Sequence, residues 1–170
     1  YAEYVTAADY PDSFSYLNRE NVIIMKTFSK IYGLAGLRVG FAFADANVVA
    51  HFEKIRSPFN VSSVAQAAAI AALADDDFIK MSKTKNHEVY EFFVSKASEA
   101  GFYCIPSQAN FVMVDVKKDS RKVFESLMKK GFIVRPGAAF GMDTFLRVTL
   151  GTIEQMENFF PLLMKAVEEL

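Results

Sequence analysis

Residues 27–40 limit the possible folds of this chain more than any other segment, because a lysine-bearing, glycine-rich loop there separates two apolar runs. Residues 21–27 are short, apolar and β-branched, which is typical of a buried strand. Residues 37–44 alternate in side-chain character and predict the next strand. Lys30 therefore lies on the loop that leaves the C-terminal end of a strand, where open α/β sheets place their ligand chemistry.

The side chains of this loop indicate covalent chemistry on a phosphorylated carbonyl compound. The amine of Lys30 can bond to a carbonyl carbon. Arg38, eight residues further on, can bind phosphate oxygens through two parallel hydrogen bonds. The hydroxyls of Thr27 and Ser29 add donors for the same phosphate. A solvated loop lysine and an ion-paired strand arginine are the alternative interpretation, which so many agreeing features in one block disfavour. The glycine spacing matches neither the dinucleotide fingerprint nor a P-loop.

The block T-F-S-K-x-Y-G-L-A-G-L-R-x-G resembles the cofactor-lysine motif of pyridoxal-phosphate (PLP) aminotransferases of fold type I, class I/II. It is most similar to the histidinol-phosphate aminotransferase group. The resemblance implies that PLP is the cofactor and that Lys30 is the catalytic residue, holding PLP as a Schiff base. It also implies that Thr27, Ser29 and Arg38 bind the cofactor's phosphate. Tyr1, similar to the tyrosine of a second family motif, would hydrogen-bond the cofactor's phenolic oxygen.

The resemblance also implies that the sequence is the C-terminal portion of a longer enzyme. The aspartate that pairs with the cofactor's pyridinium would lie three residues before Tyr1, and other upstream motifs are absent from the sequence. As a whole polypeptide, such a portion is expected to retain PLP poorly and to be inactive. We also expect apolar faces at residues 22–25 and 41–43 to be exposed and to promote association, because the sheet partners that should cover them are missing.

Two arginines further along the chain resemble substrate-binding residues of the same family. Arg147, within an apolar run at residues 144–150, is similar to the arginine that binds the substrate α-carboxylate as a planar fork. Arg135, before a Pro-Gly loop, resembles the residue that contacts the distal group of the substrate, such as a phosphate. The alternatives are a salt-bridged strand arginine for Arg147 and a solvated loop arginine for Arg135.

The reaction implied by the resemblance is PLP-dependent transamination between histidinol-phosphate and 2-oxoglutarate, in histidine biosynthesis. An aromatic amino-acid aminotransferase remains an alternative, since the loop at residues 136–141 does not decide between donors. A decarboxylase of a phosphorylated amino acid is another, because it shares the lysine block. A non-enzyme alternative is an aminotransferase-like sensor domain of a regulator, which would bind PLP without turnover.

The hydrophobic periodicity predicts an α/β fold in two domains. Residues 1–85 are interpreted as the C-terminal part of the family's large PLP-binding domain, a mixed sheet with helices. Residues 86–170 are interpreted as a smaller α/β sandwich. Helices are predicted at residues 47–55, 62–73, 78–100, 120–130 and 153–170. Further strands are predicted at residues 111–116, 132–135 and 144–150.

The composition excludes several other classes of protein. Lys+Arg number 19 and Asp+Glu 20 with no basic stripe, so nucleic acid is not expected as a partner. No apolar run approaches the ~20 residues of a membrane span. Cys104 is the only cysteine, which favours a cytoplasmic protein. His51 and His87 lack the spacing of metal ligands, so no metal is expected. The expected partners are an amino acid, a 2-oxo acid and, in the full-length protein, a second copy in a homodimer.

Overall fold

Five α-helices and two β-sheets make up the chain in the computed structural model, which describes all residues from Tyr1 to Leu170. The α/β class predicted from the sequence is confirmed. The chain divides into two compact units. We call Thr6–Met81 the lysine unit, and Tyr1–Val5 with Ser82–Leu170 the arginine unit.

The lysine unit holds a two-stranded antiparallel sheet and two helices. Its elements are β1 (Ile24–Thr27), β2 (Gly40–Phe43), α1 (Ala46–Ile55) and α2 (Ser63–Leu73). Phe28, Val39, Ala65 and Ala69 form its buried core. The lysine-bearing loop therefore runs between the two paired strands and sends side chains into the core that α2 covers.

The arginine unit is a four-stranded antiparallel sheet with helices. Its elements in chain order are α3 (Asp76–Glu99, which begins in the lysine unit), β3 (Tyr103–Ile105), β4 (Phe111–Asp115), α4 (Ser120–Lys129), β5 (Arg135–Pro136), β6 (Phe145–Thr149) and α5 (Ile153–Glu168). The strand order is β3-β4-β6-β5. Among the helices of the chain, none combines the length and the apolar character needed to cross a bilayer.

Successive side chains on β4 and β6 alternate between the two faces of this sheet. Val112, Val114, Leu146 and Val148 are buried in the core, against apolar residues of α3, α4 and α5. Arg147 stands between Leu146 and Val148 in the sequence, so its side chain points to the opposite face, and it is only half-buried. The face opposite the core therefore carries the arginine predicted to bind substrate.

All five predicted helices are confirmed. Each begins directly after a residue whose side chain caps it. Asp45, Ser62, Asp75 and Asp119 each accept a backbone N–H of the first turn of their helix. At α5, Thr152 forms a reciprocal capping box with the residue three positions on. Such caps satisfy N–H groups that have no partner inside the helix.

The strand predicted at residues 132–135 is wrong except for its last residue. Only Arg135 and Pro136 pair, with β6, and Pro136 has no N–H to extend the ladder. Phe132 and Val134 instead pack against the core, while the Phe132 N–H donates to the Leu127 carbonyl at 3.0 Å as α4 ends. Phe132 and Val134 are thus apolar because they pack on the core, although they do not pair as a strand.

Three other strands differ from the prediction. The strand predicted at residues 21–27 begins only at Ile24. The strand predicted at residues 37–44 begins only at Gly40, because Ala35–Leu37 forms a 3₁₀ turn and Arg38 has a left-handed backbone, φ 52°. Tyr103–Ile105, which was not predicted, pairs with β4. A segment this short shows no alternation of its own, so its partner decides its conformation.

The strand predicted at residues 21–27 is buried on one side only. Ile24 is buried, whereas Met25 is 80% exposed and Ile23 43% exposed. Phe41 and Phe43 on the paired strand are also more than a third exposed. The expected exposure is therefore confirmed for residues 41–43 and, in residues 22–25, only for Ile23 and Met25. The association that we expect to follow from it stays a prediction.

We expect Cys104 on β3 to react slowly in the folded chain. Burial raises the pKa of its thiol to about 11, so the reactive thiolate is scarce at pH 8. Alkylation by iodoacetamide should be on the order of 100-fold slower than in the urea-unfolded chain. Because the unfolded thiol ionises first, stability should fall as pH rises through the interval between the unfolded and folded pKa values. Equal alkylation rates in the folded and unfolded chain would contradict this prediction.

Candidate cofactor and substrate site

Lys30 is held on a loop whose neighbouring side chains are anchored in the core. Phe28 and Ile31 flank it and are 3% and 2% exposed. The Gly33 N–H donates to the Lys30 carbonyl at 2.9 Å, and Gly33 has the positive φ of 72° that this turn requires. Lys30 itself is half-buried. The backbone that carries its amine is therefore fixed on both sides.

Thr27, Ser29 and Arg38 meet beside this lysine and form what we call the hydroxyl–guanidinium cluster. The Ser29 N–H donates to Thr27 Oγ1 at 3.1 Å. Arg38 Nη1 lies 3.5 Å from Ser29 Oγ and donates to the Ala35 carbonyl at 2.7 Å. The left-handed backbone of Arg38 is uncommon for a residue with a Cβ, and such strain is concentrated at functional sites.

The donor set of this cluster fits a phosphate group. Arg38 is exposed and forms no ion pair with a carboxylate of the chain. Its charge is therefore available to an external anion, and a guanidinium matches phosphate geometry through two hydrogen bonds. The hydroxyls of Thr27 and Ser29 supply further donors at the same position. The residues present thus fit the phosphate of PLP.

We expect Gly40→Ala to disturb this loop, because a Cβ at Gly40 would lie 2.7 Å from the Lys26 carbonyl oxygen on the paired strand. The strands must move apart to admit it, at a cost of about 1–3 kcal/mol in the free energy of unfolding. Gly36→Ala is the matched control, since no atom lies within 4 Å of its Cβ position. Urea unfolding of both variants checks the prediction, and equal midpoints would contradict it.

Arg135 and Arg147 lie directly opposite each other across β5 and β6. Cross-strand partners point to the same face of a sheet. Neither guanidinium forms an ion pair within the chain, and like charges placed opposite each other destabilise a sheet. This face of the arginine unit therefore presents two uncompensated positive charges, an arrangement suited to an anionic ligand.

Each of these arginines lies over an aromatic ring that sequence reasoning did not single out as functional. Arg147 Cζ is 4.2 Å from the centroid of Phe111, and Arg135 Cζ is 5.3 Å from that of Phe140. Phe140 follows Arg135 closely in the sequence, and the 3₁₀ turn Gly137–Phe140 brings the two side chains together. Phe111 is remote from Arg147 in sequence, and only the register of β4 with β6 reveals the contact.

The structure places the predicted site residues in two groups. Thr27, Ser29, Lys30 and Arg38 belong to the lysine unit. Tyr1, Arg135 and Arg147 belong to the arginine unit. There the Tyr1 ring meets Phe111 at 5.6 Å between centroids and an interplanar angle of 80°. Tyr1 and Arg147 thus share one aromatic neighbour.

The curated relatives compared with the chain share one name. Histidinol-phosphate aminotransferase of Moorella thermoacetica is 49% identical over 161 residues, which are 94% of this chain and 42% of the relative. The protein of the same name from Bacillus subtilis (strain 168) is 46% identical over 164 residues, 96% of this chain and 46% of the relative. The chain spans less than half the length of these relatives.

Solved structures match the fold over nearly the whole chain. Histidinol-phosphate aminotransferase from Sinorhizobium meliloti in complex with pyridoxal-5'-phosphate has a TM-score of 0.89 and 33% identity, covering 99% of this chain and 47% of that protein. An aromatic aminotransferase from Pyrococcus horikoshii OT3 shares the fold, with a TM-score of 0.83 and 22% identity over 99% of this chain and 49% of that protein.

The family model described as aminotransferase class I and II matches residues 1–161. This match includes both the hydroxyl–guanidinium cluster beside Lys30 and the strands that carry Arg135 and Arg147. The chain therefore belongs to the class I and II aminotransferase family.

Proposed function

We propose that this chain supplies the cofactor lysine and the substrate arginines of a PLP-dependent aminotransferase that acts on histidinol-phosphate, with 2-oxoglutarate as the amino acceptor. The observation that supports this most strongly is the hydroxyl–guanidinium cluster beside Lys30. The names of the curated relatives, at 46–49% identity, support the choice of donor. We also propose that the full-length protein is a cytoplasmic homodimer.

The residues of the lysine unit would hold the cofactor through two of its groups, the phosphate and the aldehyde. Arg38, with the hydroxyls of Thr27 and Ser29, would bind the phosphate, and Lys30 Nζ would hold the aldehyde carbon covalently. When bound, PLP supplies an electron sink for the electron pair left on the substrate carbon. A phosphate fixed by a planar fork limits rotation of the bound molecule, which orients its reactive carbon toward the lysine.

Lys30 Nζ, once the substrate amine has displaced it from the aldehyde carbon, would take the proton from the substrate Cα and later return one. A general base must stay within hydrogen-bond reach of the proton that it moves. Anchoring by Phe28 and Ile31 and the turn closed by Gly33 keep the lysine backbone in place, while the long side chain retains the freedom to swing. A fixed backbone and a mobile side chain suit a lysine that both binds the cofactor and transfers a proton.

The arginine unit would recognise the anionic groups of both substrates. In the acceptor, Arg147 would bind the α-carboxylate and Arg135 the distal carboxylate. Histidinol-phosphate has no carboxylate, and Arg135 would bind its phosphate. The uncompensated charges of the two arginines favour a phosphorylated amine or a dicarboxylate over neutral amino acids. The Tyr1 hydroxyl would donate to the cofactor's phenolic oxygen.

A PLP titration of the full-length protein tests the cofactor site. We expect an absorbance band of lysine-bound PLP and, after borohydride reduction and peptide mapping, the label on Lys30. Arg38→Lys should weaken PLP binding by about tenfold or more, because an ammonium cannot form the bidentate contact. Arg56→Lys, an exposed arginine paired with Glu53, is the matched control. A label on another lysine would overturn the assignment.

Donor specificity needs a separate measurement. We expect transfer from histidinol-phosphate to 2-oxoglutarate to be faster than transfer from phenylalanine or tyrosine. Carbon dioxide release from a phosphorylated amino acid would point to a decarboxylase instead. PLP binding at Lys30 with no turnover of any of these compounds would support the sensor alternative and contradict the proposed reaction.

A further inference from the structure

We infer that Phe111 is a positioning residue that orients the Arg147 guanidinium for an incoming carboxylate. The inference rests on the proposed role of Arg147 as the carboxylate ligand. Phe111 would touch neither substrate nor cofactor in this role and would act entirely through the arginine that lies over its ring.

The register of the sheet creates the contact between the two residues. Phe111 is the Cα partner of Thr149, and Arg147 is the partner of Met113. Phe111 and Arg147 are therefore diagonal neighbours on one face of β4 and β6, a separation of roughly 7–8 Å that long and aromatic side chains can bridge. Arg147 bridges it, since its Cζ lies 4.2 Å from the Phe111 centroid.

A ring orients an arginine without neutralising it. A guanidinium over an aromatic face is held through its flat surface, by cation–π attraction and stacking, and its N–H groups lie in the plane of its edge. That edge remains available for the fork geometry of a carboxylate. A protein carboxylate in place of Phe111 would occupy the same N–H groups and compete with the ligand. The absence of any ion pair to the half-buried Arg147 agrees with this role.

The ring of Phe111 is itself supported by its surroundings. Ser107 Oγ donates to the Phe111 carbonyl at 2.7 Å and accepts the Ala109 N–H at 3.1 Å. The Ala109 carbonyl accepts from Asn86 Nδ2 at 3.2 Å, so α3 also fixes this approach to β4. Tyr1 packs against the ring at a near-perpendicular angle. Backbone and ring are thus both constrained, which a positioning surface requires.

Arg135 provides an internal comparison. Its ring, Phe140, is 54% exposed and lies on the 3₁₀ turn Gly137–Phe140 rather than on a strand. The distance from Cζ to the centroid is 5.3 Å, against 4.2 Å for Arg147. We therefore expect Arg147 to be held in one orientation and Arg135 to adapt to different distal groups.

NMR of the arginine side chains tests the contact without any enzymatic readout. In the wild-type chain, the Arg147 Nε–H signal should be shifted upfield by the ring current of Phe111. Phe111→Leu should remove this shift, Phe111→Tyr should keep it, and Phe140→Leu should leave it unchanged. An Arg147 signal that is the same in wild type and in a folded Phe111→Leu variant would overturn the inference.

Kinetics of the full-length protein then separate the inference from the proposed function. Phe111→Leu should raise the KM for 2-oxoglutarate by about tenfold, with kcat within roughly twofold of wild type, and Phe111→Tyr should restore KM. If Arg147→Lys raises KM but Phe111→Leu does not, the positioning role is wrong and the carboxylate role stands. If Arg147→Lys leaves KM unchanged, the carboxylate role of Arg147 is wrong, and the positioning role with it.

Discussion

Replacement of Lys30 by alanine is expected to abolish covalent attachment of PLP and to lower the transamination rate of the full-length protein by about 10³-fold or more. The variant lacks both the amine that holds the cofactor and the atom that moves the Cα proton. The phosphate donors Thr27, Ser29 and Arg38 remain, so non-covalent binding of PLP should persist at reduced affinity. Borohydride labelling followed by peptide mapping measures attachment, and a coupled assay measures the rate.

Two further variants separate lysine chemistry from lysine charge. Lys30→Arg keeps the positive charge but offers no amine for the cofactor, so it should behave like Lys30→Ala. Lys54→Ala removes an exposed lysine of α1 and should label and react like the wild type. Wild-type labelling or activity in Lys30→Ala would show that a different residue carries the cofactor.

The second large effect is expected in the core of the arginine unit. Phe159→Ala should lower the free energy of unfolding by about 3–5 kcal/mol, the cost typical of removing a buried phenylalanine ring. Phe159 is fully buried. Its ring contacts Phe93, Phe132 and Phe160 at centroid distances of 6.2, 5.5 and 5.9 Å. The cavity would therefore open between α3, α5 and the segment after α4.

Urea unfolding followed by far-UV circular dichroism measures this loss. Phe59→Ala is the matched control, since Phe59 is 99% exposed and its removal should change stability by less than about 0.5 kcal/mol. A loss below about 1 kcal/mol in Phe159→Ala would mean that the aromatic cluster collapses around the missing ring and is not the centre of stability that the packing indicates.

The helices were the most predictable part of the fold. All five follow local rules. Each has a capping side chain at its start, and all but the alanine-rich α2, which is apolar on nearly every side, have apolar residues at intervals of three and four. Predicted and observed bounds differ by at most two residues, as at α3, predicted to begin at residue 78 and observed from Asp76. Both kinds of signal lie within the helix or directly before it, so a short stretch of sequence is enough to recognise a helix.

The strands were less predictable because a strand forms only where a neighbouring strand pairs with it through backbone hydrogen bonds. Residues 132–135 have the composition of a strand, yet Phe132 and Val134 pack on the core without pairing and only Arg135 pairs. Tyr103–Ile105 has no strand pattern and pairs with β4 nonetheless. In each case strand formation depends on which neighbouring segment is available for hydrogen bonding. The strand propensity of the segment itself does not contain that information.

In the candidate site, too, the residues close together in sequence were predictable and the contacts made by folding were not. Lys30, Arg38 and their hydroxyl neighbours occupy one continuous block, so their residue types and spacing could be interpreted from the sequence. The local turns that bring Arg38 back toward Ser29, a 3₁₀ turn and a left-handed residue, were not predicted in detail. Glycine placement indicated a turn but not its path.

Residue chemistry and local conformation were thus readable from the order of the amino acids, because a lysine loop, a cap or an amphipathic helix depends on neighbours a few positions away. The pairing of Arg135 with Arg147, and the placing of Arg147 over Phe111, came only from folding. Those contacts depend on strand register, which is chosen by the packing of the whole sheet on its helices. A register shift of one residue would have turned Arg147 into the core.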